Sequence, residues 1–176
     1  MAKQASNFPF ARSYIRRLTA EQLIDSQSEA LDVPTDFAGY PIGTRAAQLA
    51  GALPERRRNE GRADVEQFLA SFGKPPRLLP SECERSCEPT MGQAFQLMNG
   101  PVLNELLEAK NGLLDQLTAK DIPATISALY WNILGRAPTA EESAKFAAHL
   151  KTHDQNRAAL EDLAWSLLNS KEFLFR

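Results

Sequence analysis

Apolar positions along most of this chain recur at helical intervals. The clearest run is Ile122, Ile126, Leu129, Tyr130, Ile133 and Leu134, spaced i, i+4, i+7, i+8, i+11 and i+12 on one helix face. Leu160, Leu163, Ala164, Leu167 and Leu168 repeat the pattern, and Phe146, Ala147 and Leu150 precede them. Shorter stripes lie at Leu23, Ile24 and Leu31, at Val65, Phe68, Leu69 and Phe72, at Val102, Leu103, Leu106 and Leu107, and at Leu113, Leu114 and Leu117. A further helix carries Met91, Phe95 and Met98.

The punctuation agrees with this reading. Thr19 with Gln22, Thr90 with Gln93 and Thr139 with Glu142 have the spacing of capping boxes, in which the two side chains satisfy each other's backbone N–H groups. Asp64 and Asp121 read as further N-caps. Gly73 followed by Pro75, and Gly135 followed by Pro138, read as helix ends. No alternating strand or hairpin turn interrupts the series. The expected fold is all-α, an irregular bundle of about six or seven helices forming one domain over residues 19–176.

Two segments escape the periodicity. Residues 1–18 read as an extended arm, with aromatics around Pro9, and residues 34–62 as a long Gly- and Pro-rich connection. A loop of that length in a compact domain is usually functional or partner-bound.

Charge and composition narrow the function classes. A formal net charge of −2 lacks the basic surplus of a nucleic-acid binder, so no nucleic-acid partner is expected. The imbalance is local: Lys3, Arg12, Arg16 and Arg17 all precede the first acid, Glu21. No apolar run is long enough to span a bilayer. The segment MAKQASNFPFARSYIRR lacks the apolar region of a secretory signal, which makes a cytoplasmic location the default expectation.

Six blocks read in order are distinctive: RRLTAEQLID, GYPIGTRAAQL, FLASFGKPPR, CERSCEPTMGQAFQLMNG, LYWNILGRAPTAEE and DLAWSLLNSKEFLF. From about Arg16 to Phe175 the chain resembles the C-terminal part of the planctomycete cytochrome c-associated domain of unknown function. The resemblance implies an extracytoplasmic or periplasmic setting, with the domain lying downstream of haem-binding segments, and implies no activity. The chain departs from that pattern in lacking a C-x-x-C-H motif and in carrying Ser81 where many members have the first cysteine of a C-x-C-E-R block.

The thiols offer little chemistry. Cys83 and Cys87 are separated by three residues and followed by Glu88, so covalent haem is excluded. With His149 and His153 they make two cysteines and two histidines, but the spacing fits no zinc module, and exposed histidines with partly buried thiols are preferred. A Cys83–Cys87 disulfide is sterically open in a loop and disfavoured in a helix. No nucleophile–base constellation, P-loop, H-E-x-x-H or dinucleotide motif is present, and Glu141–Glu142 and Glu161–Asp162 read as solvated helix faces. Neither an enzyme, nor a cofactor, nor a bound metal is expected. Glu84 and Arg85 read as an ion-paired pin that, with Cys83, Cys87 and Thr90, has a structural role in the loop and helix start.

Partner contacts are expected elsewhere. In the arm, Phe8, Phe10 and Tyr14 alternate with Arg12, Arg16 and Arg17, the aromatic and Arg-rich composition of interfaces. Phe37, Tyr40 and Arg45 belong to the long loop. The sequence therefore predicts a non-catalytic interaction module, an accessory extrinsic subunit of a larger protein complex with contact to a membrane surface open to it. The resemblance points to a membrane-bound electron-transfer complex, respiratory or photosynthetic. The alternative is a fragment of an extracytoplasmic haem-associated enzyme that needs upstream domains.

Overall fold

The computed structural model of the chain describes residues 15–37, 39–49, 63–74, 89–118, 121–153 and 157–175. Its elements are α1 (Ala20–Leu31), a 3-10 helix (Ala46–Gln48), α2 (Ala63–Ser71), α3 (Met91–Asn99), α4 (Pro101–Glu108), α5 (Leu113–Leu117), α6 (Ile122–Leu134), α7 (Ala140–Thr152), α8 (Arg157–Leu168) and α9 (Lys171–Leu174). The fold is all-α. It is more finely divided than six or seven helices, because α5 and α9 are only five and four residues long.

All three capping boxes close. At Thr19 the hydroxyl accepts from the Gln22 N–H at 3.3 Å and the Gln22 amide accepts from the Thr19 N–H at 3.1 Å. Thr90 with Gln93 and Thr139 with Glu142 do the same. Asp121 occupies the N-cap of α6 but makes no side-chain cap bond; Pro123 in the first turn fixes the backbone there instead. Asp64 is corrected from N-cap to first-turn residue, since α2 already begins at Ala63; its carboxylate faces the positive end of the helix dipole. Gly73, at φ +88°, ends α2 with the Lys74 N–H donating to the Leu69 carbonyl at 2.9 Å.

Two helices organise the core. α1 packs on α2, α4, α5 and α6, and α8 packs on α4, α5, α6, α7 and α9. The stripes read from the sequence supply the buried side chains: Leu23, Ile24 and Leu31 from α1, Phe68 from α2, Leu103 from α4, Leu129 and Tyr130 from α6, and Leu160 and Leu168 from α8. Each such side chain contributes about 1.5–3 kcal/mol by leaving water. α3 lies at the margin, packed on α2 and α4.

Two segments distant in sequence meet beside α1 and α9. Arg17 and Phe175 form an antiparallel backbone bridge, and the Leu18 N–H donates to the Leu174 carbonyl at 3.0 Å. Among the described residues this bridge is isolated and no strand is formed.

The start of the long loop is not free of the fold. Phe37 and Ala46 are buried in the core, and Tyr40 and Leu49 pack against it. The 3-10 helix is held by a carboxylate: Asp25 accepts from the Ala46 and Ala47 N–H groups at 2.6 and 3.1 Å. Exposed N–H groups at the start of a helical turn are what a carboxylate satisfies best.

Candidate interaction surface

The surface of interest is built from α3 outward. Its capping box places Gln93 at the third helical position, on the inward side, where it is buried. The Gln93 amide donates to the Ser71 carbonyl at 2.9 Å and accepts from the Thr90 N–H at 3.2 Å and from the Arg17 guanidinium. Arg17 in turn lies over the Phe72 ring, 5.7 Å from its centroid. One amide thus ties α3 to the end of α2 and to the chain leading into α1.

With Gln93 inward and Leu97 packed against the core, the other large apolar residues of α3 point the other way. Met91, Phe95 and Met98 are 72%, 64% and 63% exposed. They lie at i, i+4 and i+7, a stripe about 10 Å long at 1.5 Å rise per residue. The helix sequence MGQAFQLMN carries no charge. Three large apolar side chains aligned on one uncharged helix face form a contiguous patch, which marks interaction sites more often than isolated exposed apolar residues do.

A second feature is a cleft of about 410 Å³, whose polar lining includes Asp25, Glu29, Arg45, Asn132 and Glu172 and whose rim includes Phe175. Its charges are already partnered. Arg45 pairs with Glu29 at 2.6 Å, Asp25 holds the 3-10 helix, and Glu172 is engaged by Arg136. An Arg–carboxylate pair as exposed as Arg45–Glu29 contributes under about 1 kcal/mol and opens readily to a competing ligand.

Two arginines hold the rest of the framework. Arg136 commits every N–H it has: Nε and Nη2 to Glu172 at 2.7 and 2.8 Å, Nη1 and Nη2 to Glu142 at 2.9 and 2.8 Å, and Nη1 to the Ala137 carbonyl at 3.0 Å. It also lies over the Tyr130 ring at 5.2 Å. Hydrogen bonding from Arg136, with further help from Thr139, lowers the Glu142 carboxyl to about 2. Arg136 likewise lowers Glu172, while burial raises the Tyr130 phenol. Arg157 plays the matching part at α4 and α5, donating to Asp115, to Glu161 at 2.7 Å, and to the carbonyls of Leu107 and Ala109.

The residues expected to contact partners separate into distinct groups. Arg16 and Arg45 face solvent. Arg17 is drawn inward by Gln93 and Phe72, Tyr40 is half-buried against the core, and Phe37 is buried outright, so its ring is a packing element rather than a contact offered to a partner. Phe8, Phe10, Arg12 and Tyr14 lie outside the described residues, as do Cys83, Glu84, Arg85 and Cys87. Thr90 caps α3 as its spacing predicts. The Met91–Phe95–Met98 face was visible in the sequence as a stripe, but nothing local says that it turns outward. Asp25 could not have been linked to Ala46 by any short-range pattern, because 21 residues separate them.

The model of the PSD1 family, described as a protein of unknown function (DUF1553), matches residues 1–150. The matched region takes in the N-terminal arm and stops at Leu150, before the block DLAWSLLNSKEFLF. No curated protein and no solved structure matches the chain.

Proposed function

The chain belongs to the PSD1 family, and we propose that within it this domain is a non-catalytic interaction and assembly module, an extrinsic subunit that docks on a larger protein complex. One observation carries the reading: the uncharged face of α3, with Met91, Phe95 and Met98 all more than half exposed, on a helix whose opposite side is fastened by Gln93. A helix anchored on its polar side and apolar toward solvent has the arrangement of a helix-in-groove ligand, in which i, i+4 and i+7 side chains enter a partner's groove. Thioether side chains suit such a surface, because their flexible, polarisable chains adapt to the shape they meet.

The narrower reading places the partner in a membrane-bound electron-transfer complex, respiratory or photosynthetic. It is supported by the resemblance to cytochrome c-associated domains alone. Among the described residues no helix is long and apolar enough to cross a membrane. The exposed Arg16, beside the basic arm, favours an anionic membrane surface or an acidic partner face.

A photo-crosslinking residue at position 95, expressed in the native cell, tests the proposal. The expected result is one adduct of defined mass in the membrane fraction, absent when the crosslinker replaces exposed Lys145. Recovery of an uncrosslinked monomer from both positions rules the docking role out. Haem absorbance in the purified adduct separates the electron-transfer reading from the general one.

A further inference from the structure

We propose that the cleft lined by α1, α6 and α9 is a docking site for a lysine side chain of a partner polypeptide, and that Arg45 fills it as an internal stand-in which the partner displaces. The site deepens the interaction role proposed above and rests on that reading. None of its described lining residues comes from α3, so the two surfaces stand or fail separately.

The lining is apolar on one side and acidic on the other. Leu18, Ala30, Ile133 and Phe173, all core residues, form the apolar wall. Asp25, Glu29 and Glu172 bring three carboxylates, against which Arg45 is the single basic side chain among the described lining residues. Two of these carboxylates have structural tasks: Asp25 accepts from the Ala46 and Ala47 N–H groups, and Glu172 is held by Arg136. Glu29 differs. It pairs with Arg45 at 2.6 Å, and the two side chains are 72% and 61% exposed, so the pair is open to exchange.

The acceptors around Glu29 select the ligand. Ser26 stands at i−3 on the same face of α1. Asn132 reaches in from α6; its Nδ2 donates to the Ala128 carbonyl at 2.8 Å, which leaves Oδ1 to accept. A carboxylate, a hydroxyl and an amide oxygen match the three N–H donors of an ammonium group. The apolar wall suits the hydrocarbon stem of lysine, which packs along such surface while its head stays near water. A bare metal ion does not fit, since among the described residues no group of His, Cys, Asp or Glu could hold one. Phe175, exposed at the rim, offers apolar contact to the residues flanking the lysine, which favours a polypeptide over a free amine. At about 410 Å³ the cleft falls within the roughly 300–1,000 Å³ of ligand sites.

Amide NMR titration of the full-length chain with acetyl-Leu-Lys-Leu-amide tests the site. Saturable shifts are expected at Ser26, Glu29, Asn132 and Phe173, with a dissociation constant of roughly 1 mM or tighter. Norleucine in place of the lysine, or E29Q in the protein, should weaken binding about tenfold by removing a charge-assisted hydrogen bond. R45Q removes the stand-in and should tighten binding by up to about fivefold, the ceiling of an exposed ion pair. K145Q, an equal change of net charge on exposed α7, should leave binding unchanged. Glu29 and Arg45 are both exposed, so these variants keep the fold. Absence of saturable shifts below about 10 mM peptide overturns the proposal. So does equal binding of the norleucine peptide, or weaker binding by R45Q. Cadaverine binding more tightly than the peptide overturns the polypeptide as occupant. The titration needs no native complex, so a failed crosslink from α3 does not decide it.

Discussion

The starts of α7 and α3 are built from the same parts and face in opposite directions. Each opens with a threonine capping box, and in each the third helical residue also engages an arginine from elsewhere in the chain: Glu142 with Arg136, Gln93 with Arg17. In α7 the apolar side, with Phe146, Ala147 and Leu150, turns toward the core. In α3 the stripe of Met91, Phe95 and Met98 turns to solvent, and the inward side is held by Gln93 with Leu97. A capping box fixes where a helix begins. Which face it buries depends on the long-range partners it meets.

Four changes break or sharpen that contrast. Tyr130→Ala should cost the most, about 3–5 kcal/mol for a buried aromatic, because the ring lies beneath Arg136 and edge-on to Phe146 at 5.4 Å. Denaturant unfolding measures it. Gln93→Leu should cost about 1–3 kcal/mol, leaving the Ser71 carbonyl and the Arg17 guanidinium without their partner. Protease cleavage within α3 should accelerate in parallel; a variant as stable as the native chain defeats the idea that one amide orients this helix.

The third prediction separates the charged latch from the neutral one. Glu142 titrates near 2 in the folded chain against 4.5 ordinarily, and Glu172 is lowered in the same sense. A lowered folded pKa adds stability that is present above the ordinary carboxylate range and lost as pH falls through it. The melting temperature should therefore drop between about pH 4.5 and 2. Arg136→Met should flatten that decline, and Gln93→Leu should leave its slope intact. The smallest effect on stability belongs to the outer face of α3. Replacing Met91 and Met98 together by Gln should shift unfolding by no more than about 0.5 kcal/mol per site while abolishing the crosslink formed from position 95. A large loss of stability instead would mean that the face is packed in the isolated chain.

Much of the fold was legible because helix signals are local. Every core residue from the stripes of α2, α4, α5 and α8 is buried where periodicity put it, and three capping boxes closed as spaced. What escaped was set by distant contacts. The four-residue α9 carried too short a pattern to be read, Asp25 reached across the chain to the 3-10 helix, and Phe37 was read as a partner contact because no periodic pattern surrounded it.

 Phe37 entered the core because the loop that carries it folds back onto α1 through Asp25 and the 3-10 helix, an arrangement that no short window of sequence reveals. Gln27 is a further case: it falls on the buried side of α1 and is fully enclosed, with neither end of its amide hydrogen-bonded.

The pairing of Arg17 with Phe175 bears on how this helical domain tolerates being cut and rejoined. Because the segment leading into α1 and the one leaving α9 run side by side, residues 17 and 175 lie together at one edge of the helical domain. A unit closed in this way can be inserted into a loop of another protein, or have its ends joined and be reopened elsewhere, without stretching any helix.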